Sequence, residues 1–205
     1  MKKHEDYLAT SLWYREEITD PYQVIASFFD YIDISSCRKK IKHLLLAAGS
    51  DEIYRYRKDS PASVLELFKM IESVINAAYL INKEKKESPL SIGTGDLLNK
   101  NLFCGNKGHA SAWDYFPRSL SEKEFIDPYL TFRHFFKFKE IEGWKEDLQE
   151  VLSFALSAGS YSDLGIELNL LSIYIHLTKL LEAAHLIDVR EITHIDGRIK
   201  NRIAS

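Results

Sequence analysis

The sequence predicts an all-α fold: a helical bundle made of two tandem three-helix repeats with approximate internal two-fold symmetry. Three observations predict it. Short motifs recur in the same order in both halves of the chain. Apolar residues return every three to four positions over long stretches, which is the period of an α-helix. Cap-plus-proline pairs mark where such helices begin.

The repeat is the primary signal, because ordered self-similarity marks a duplicated structural unit. Asp20-Pro21-Tyr22 recurs as Asp127-Pro128-Tyr129, and Phe28-Phe29 recurs as Phe135-Phe136 at the same offset. Leu46-Ala47-Ala48-Gly49-Ser50 matches Leu156-Ser157-Ala158-Gly159-Ser160. Ala77-Ala78-Tyr79-Leu80-Ile81 matches Ala183-Ala184-His185-Leu186-Ile187. The copies span residues 20–81 and 127–187.

Taken in chain order, residues 4–17 read as a lead-in helix. Asp20 caps and Pro21 opens a helix over residues 21–31, with Val24, Ile25, Phe28 and Phe29 on one stripe. A second helix over 35–48 turns Cys37, Ile41, Leu44, Leu45 and Ala48 inward. Gly49, like Gly159 in the second copy, stands where a left-handed cap would follow. Ser60-Pro61 starts a third helix that runs to residue 83 through Val64, Leu65, Leu67, Phe68, Ile71, Val74, Ile75, Ala78 and Ile81.

Ser121 and Glu124 have capping-box spacing ahead of the second copy. There the helices cover 128–138 (Phe132, Phe135, Phe136), 143–158 (Trp144, Leu148, Val151, Leu152, Ala155) and 163–187. The last carries Leu170, Leu171, Tyr174, Leu177, Leu180, Leu181 and Ala184. One such unit makes a marginal core, so the two are expected to pack together, with the long third helices as the natural contact. The chain then divides into 1–83, an insert over 84–120, and 121–205, with both repeats in one domain.

Composition narrows the function class. A formal net charge of −3 gives no basic excess for neutralising phosphates, so nucleic-acid binding is not expected. Two cysteines, Cys37 and Cys104, make no disulfide framework and read as free thiols. Lys2 and Lys3 are not followed by the apolar core of a signal peptide, and no apolar run approaches the ~18–20 residues that span a bilayer. A cytoplasmic location without membrane attachment is expected.

The insert holds Ser91-Ile92-Gly93-Thr94-Gly95-Asp96 and, over 99–118, Cys104, His109, Trp113, Asp114, Tyr115 and Phe116. Long loops in compact domains are often functional. Its aromatics either plug the bundle or line a pocket or partner surface. His109, Trp113, Asp114, Tyr115 and Phe116 are therefore the candidate binding residues.

Signatures of chemistry are thin. Gly93-Thr94-Gly95 lacks the spacing and the lysine of a phosphate-binding loop. Cys104 and His109 supply two zinc ligands where four are needed. Glu182 with His185, and Glu191 with His194, have the Glu-x-x-His spacing of di-iron bundles. Asn76 and Tyr79 stand at the positions equivalent to Glu182 and His185, so a symmetric metal site is not encoded. Glu182 and His185 remain weak metal candidates. No catalytic residue is assigned and no cofactor is expected.

In the tail, Asp196-Gly197 between apolar positions marks either a tight hairpin or a frayed helix end. The functional expectation is a non-catalytic intracellular scaffold or protein-interaction module with a protein partner, its oligomeric state left open. The alternative is a small-ligand or metal-dependent protein using the crevice between the repeats, with His109, Asp114, Glu182 or His185.

Overall fold

Short-range capping sets where the helices begin. Asp20 accepts the Tyr22 N–H at 2.9 Å and Asp127 accepts the Tyr129 N–H at 3.2 Å. Asp33 accepts from Ser36 at 2.9 Å, and Ser60 and Ser63 cap each other reciprocally. Each bond satisfies a first-turn donor that has no partner inside its own helix. The computed structural model describes residues 11–13, 16–18, 20–50, 53–54, 60–85, 92–104, 111–157, 168–195 and 198–199.

These residues form a helical bundle edged by two short hairpins. The helices are α1 (Pro21–Tyr31), α2 (Ile34–Ala48), α3 (Pro61–Lys83), α4 (Ala112–Tyr115), α5 (Glu122–Ile126), α6 (Tyr129–Phe138), α7 (Ile141–Ala155) and α8 (Leu170–Arg190). Two 3-10 turns, Thr94–Asp96 and Lys100–Leu102, lie between α3 and α4. Strands β1 (Ser11–Trp13) and β2 (Glu16–Ile18) pair antiparallel, as do β3 (His194–Ile195) and β4 (Arg198–Ile199). The second pairing, Ile195 opposite Arg198, has the register of a two-residue turn, so the hairpin reading of the tail holds.

The core is continuous across both halves of the chain. Helix α1 packs on α3, and α6 packs on α8. Between the halves, α2 crosses α7, α2 meets α8, α3 meets α7, α1 meets α8 and α3 meets α6. Helices α3 and α8 touch each other less than α2 touches α7, so the second helices, not the third, form the main contact. The loop between α2 and α3 adds one link, Tyr54 N–H to the Ala155 carbonyl at 2.9 Å.

Several sequence expectations are corrected. Residues 11–13 and 16–18 are paired strands rather than part of a helix over 4–17. Leu12, Trp13 and Ile18 favour extended backbone, and pairing Trp13 with Glu16 closes the hairpin. Helix α8 starts at Leu170 rather than 163, because Asn169 takes up the Ser172 N–H at 2.9 Å with non-helical backbone. Residues 158–167 lie outside the described residues.

Gly49 has φ −89°, so it is no left-handed cap, and Gly159 lies outside the described residues. Its lack of a side chain serves close approach instead: a Cβ there would stand 2.8 Å from Leu170 Cδ1. The left-handed residue is Lys85, at φ 52°, just past α3. Leu65 and Leu171, expected inward, are exposed. With Leu170 turned toward α2, its neighbour Leu171 points about 100° away.

Among the described residues, α8 is long and apolar enough to cross a membrane by length and composition. That differs from the expectation that no segment approaches this length. Here α8 is a core helix, buried at every position from Leu180 to Asp188.

Candidate functional site

A helix buried on every side must satisfy whatever polar groups it carries. Helix α8 carries Glu182, fully buried, with His185 and Arg190 also buried further along. Arg38 approaches Glu182 from α2. It stands on the apolar stripe of that helix between Ile34 and Ile41, and is itself buried.

Arg38 and Glu182 form a clamp. Arg38 Nη1 donates to Glu182 Oε1 at 2.6 Å and to the Phe116 carbonyl at 3.0 Å. Arg38 Nη2 donates to the Asp114 carbonyl. Glu182 Oε1 also accepts the Arg118 N–H at 3.0 Å, and Oε2 accepts the Ser119 N–H at 2.8 Å. The pair thus holds the main chain of residues 114–119. A carboxylate with both oxygens engaged this way keeps a buried charge paired and solvated by fixed dipoles.

Two more side chains of α8 hold the insert. A ring nitrogen of His185, Nε2, lies 3.1 Å from the Phe103 carbonyl. Arg190 donates to the Leu102 carbonyl at 2.8 Å and the Phe125 carbonyl at 2.6 Å, with its guanidinium 4.5 Å over the Phe125 ring. Burial lowers the Arg190 pKa to about 10, which leaves it charged at neutral pH.

The aromatics of the insert divide by side. Phe103 is fully buried and Tyr115 nearly so, the latter stacked on His185 at 6.1 Å while Phe29 meets His185 from the bundle at 4.9 Å. Phe116 is half-buried between Phe103 at 5.1 Å and Phe125 at 6.1 Å. Trp113 lies over Phe103 and Phe116 yet is 51% exposed. The Asp114 carboxylate caps the short α4, accepting the Ser111 N–H at 3.2 Å, with Arg118 3.7 Å away on the outside.

Of the candidate binding residues, the structure brings Trp113, Asp114, Tyr115 and Phe116 together, with Tyr115 and Phe116 as anchors and Trp113 outermost. His109 lies outside the described residues. The two Glu-x-x-His pairs separate. Glu182 and His185 hold the insert, whereas Glu191 lies past the end of α8, accepting the Tyr129 hydroxyl at 2.5 Å, and His194 is in β3. Among the described residues no group of three or more His, Cys, Asp or Glu side chains is placed to hold a metal ion. The Gly93 N–H, which a phosphate would need, donates to Asp96 at 3.0 Å.

Glu182, a weak metal candidate by its spacing to His185, is instead the acid of a buried ion pair, and its partner Arg38 carried a signal of its own, a charge on an otherwise apolar helical face. Where α2, α3, α7 and α8 meet, the gap lined by Ile41, Leu44, Phe68, Leu148, Val151 and Leu177 holds about 10 Å³ and is wholly apolar. That is roughly the room of one water, without polar partners for it.

Neither Cys37 nor Cys104 is in a disulfide, and burial pushes the Cys37 thiol up to about 12. No family model matches the chain, and the comparisons with curated proteins and with solved structures yield no similar protein.

Proposed function

We propose that the chain is a non-catalytic helical scaffold, formed by tandem duplication of a three-helix unit, that binds a protein partner through the face of its insert. Helix lengths and burial support the duplication. Under one offset of 107 residues, from Asp20 to Asp127, the 15-residue helices α2 and α7 coincide end to end. Ile34 then answers Ile141, Cys37 answers Trp144, Ile41 answers Leu148 and Ala48 answers Ala155, all buried. Gly49 answers Leu156, not Gly159.

Packing supports it as well. Exchanging the halves turns the α1–α8 contact into α6–α3, and α2–α8 into α7–α3, all of which occur. The Phe29–His185 ring contact at 4.9 Å exchanges with Phe136–Tyr79 at 5.2 Å.

One observation carries the interaction reading: Trp113 is half-exposed on a turn whose main chain is fixed by the buried Arg38–Glu182 pair. A large aromatic held rigid at a surface suits a binding hot spot, because little side-chain freedom is lost on association. Asp114 and Arg118 supply a polar rim beside it. A reducing, cytoplasmic setting fits two cysteines that form no disulfide.

Affinity capture tests the reading. Wild type and Trp113→Ala are compared at equal melting temperature, with quantitative identification of retained proteins. A partner retained by wild type and at least about tenfold depleted with Trp113→Ala supports the face. Identical retention by both proteins removes it.

A further inference from the structure

Helices α2 and α8 lie side by side and run in opposite directions. Arg38 meets Glu182 at 2.6 Å at one end of their seam, and Gly49 lies against Leu170 at the other. From Arg38 to Gly49 the seam is about 17 Å long, or about three helical turns.

The insert covers only the first part of it. Residues 114–119 lie over Arg38 and Glu182, which hold their main chain. From that clamp each helix carries a row onward toward the Gly49 end. On α2 the row is Arg38, Lys42 and Leu46, one turn apart each time. On α8 it is Glu182, Ile175 and Leu171, which fall within about 40° of one another around the helix axis. Both rows start at side chains that the insert covers, which places their far ends on that same side of the seam. Those far ends are bare: Leu46 is 60%, Ile175 42% and Leu171 69% exposed. Three large apolar side chains gathered along one seam are unlike the single ones that any surface carries.

Charge selects the occupant. Helix α2 has no Asp or Glu between Ile34 and Ala48, and α8 has none between Leu170 and Leu181. Lys39 and Lys42, three residues apart on one stripe of α2, are exposed, and neither has an ion pair among the described residues. The chain as a whole carries −3, so the seam is a basic enclave on an acidic protein. A second copy docked through this face would set the cationic patch against itself. An anionic lipid surface also attracts lysines and leucines, but apolar groups that flank a seam between two helices form the kind of site that receives a third helix.

Main-chain chemistry selects the conformation. The insert, which is irregular there, has its amides satisfied by Glu182. The open half of the seam offers no carboxylate to accept main-chain N–H groups. A segment lying there must satisfy its own backbone, as an α-helix does.

We propose that the open half of the α2–α8 seam binds an acidic amphipathic helix of a partner protein. The apolar stripe of that helix packs on Leu46, Ile175 and Leu171, and its carboxylates pair with Lys39 and Lys42. The inference stands on residues other than Trp113 and does not rest on the reading given to it.

The probe is a display library of random peptides of about 15 residues, long enough to span the seam as a helix. It is selected on the full chain and read against two double variants, Leu171→Ser with Ile175→Ser and Lys39→Glu with Lys42→Glu. All four positions are exposed, so neither variant disturbs the core. Enriched peptides should carry apolar residues at i, i+3 or i+4, and i+7, with Asp or Glu beside them. By fluorescence anisotropy they should bind the serine variant at least about tenfold more weakly than wild type. The glutamate variant should weaken them similarly and regain binding when the acids of the peptide are exchanged for lysine. No enriched peptide, enriched peptides without acids, or equal binding to wild type and both variants overturns the proposal. Two other occupants overturn it as well. A wild-type dimer in sedimentation that both variants abolish assigns the seam to a second copy, and co-pelleting with phosphatidylserine–phosphatidylcholine vesicles that both variants abolish assigns it to a membrane surface.

Discussion

Arg38 and Glu182 contribute to stability through what they hold rather than through their mutual attraction. Replacing a buried ion pair by apolar residues of similar size is often neutral, whereas breaking it by removing one partner costs about 3–5 kcal/mol. Here the pair also satisfies the carbonyls of Asp114 and Phe116 and the amides of Arg118 and Ser119. The double variant Arg38→Met with Glu182→Leu is therefore expected to stay destabilised by about 2 kcal/mol or more, since those main-chain groups lose their partners. Urea unfolding measures it, and a double variant as stable as wild type would show that the insert needs no clamp. Glu124 gives a pH-dependent counterpart. Burial alone would raise its carboxyl, but hydrogen bonds from Lys179, Ser121 and His134 outweigh that and hold it at about 2. A carboxyl lowered in the folded state stabilises above its ordinary value of 4.5, and that contribution is lost as pH falls from there toward 2. Glu124→Gln should cost about 2–3 kcal/mol at neutral pH and flatten the stability curve below pH 4.5. Parallel curves for the two proteins would assign the acid sensitivity to other groups.

At the scale of the element, sequence was most readable where one local rule decides. The Asp20-Pro21 and Ser60-Pro61 starts and the span of α3 follow from capping chemistry and apolar period, and the structure agrees. Residues 11–13 and 16–18 are strands and not helix because a short run of mixed aromatics and charges suits a helix or a hairpin equally, and only pairing between β1 and β2 decides. The insert gave up its aromatics as candidates but not its anchoring, because Arg38 and Glu182 lie 144 residues apart in sequence. Gly49 shows the same limit. A glycine after a helix reads as a left-handed cap, but here the reason is a neighbour 121 residues on, Leu170. Gly49→Ala should accordingly cost about 1–3 kcal/mol by overpacking. Leu170→Ala in the same chain should recover part of that, giving a combined loss smaller than the sum of the two. Strict additivity in thermal or urea unfolding would return Gly49 to a purely backbone role.

At the scale of the molecule, the contact of α2 with α7 makes each half part of the other's interior. A three-helix unit of this size has a marginal core alone, so the halves are expected to unfold together. Two native reporters lie on opposite sides of the contact. Cys37 on α2 is fully buried, and burial pushes its thiol up to about 12, so it is inert to disulfide reagents until α2 is exposed. Trp144 on α7 is stacked on Phe135 at 4.1 Å, and its fluorescence reports the second half. In a Cys104→Ser background with Trp13→Phe and Trp113→Phe, so that Trp144 alone emits, thiol reactivity and tryptophan emission should give one coincident urea midpoint. Leu148→Ala, which empties space beside the apolar gap at the crossing, should lower both by the same amount, about 2–5 kcal/mol in stability. Midpoints that separate, or a Leu148→Ala effect confined to the Trp144 signal, would mean that the shared interior does not couple the halves and that each folds as its own domain.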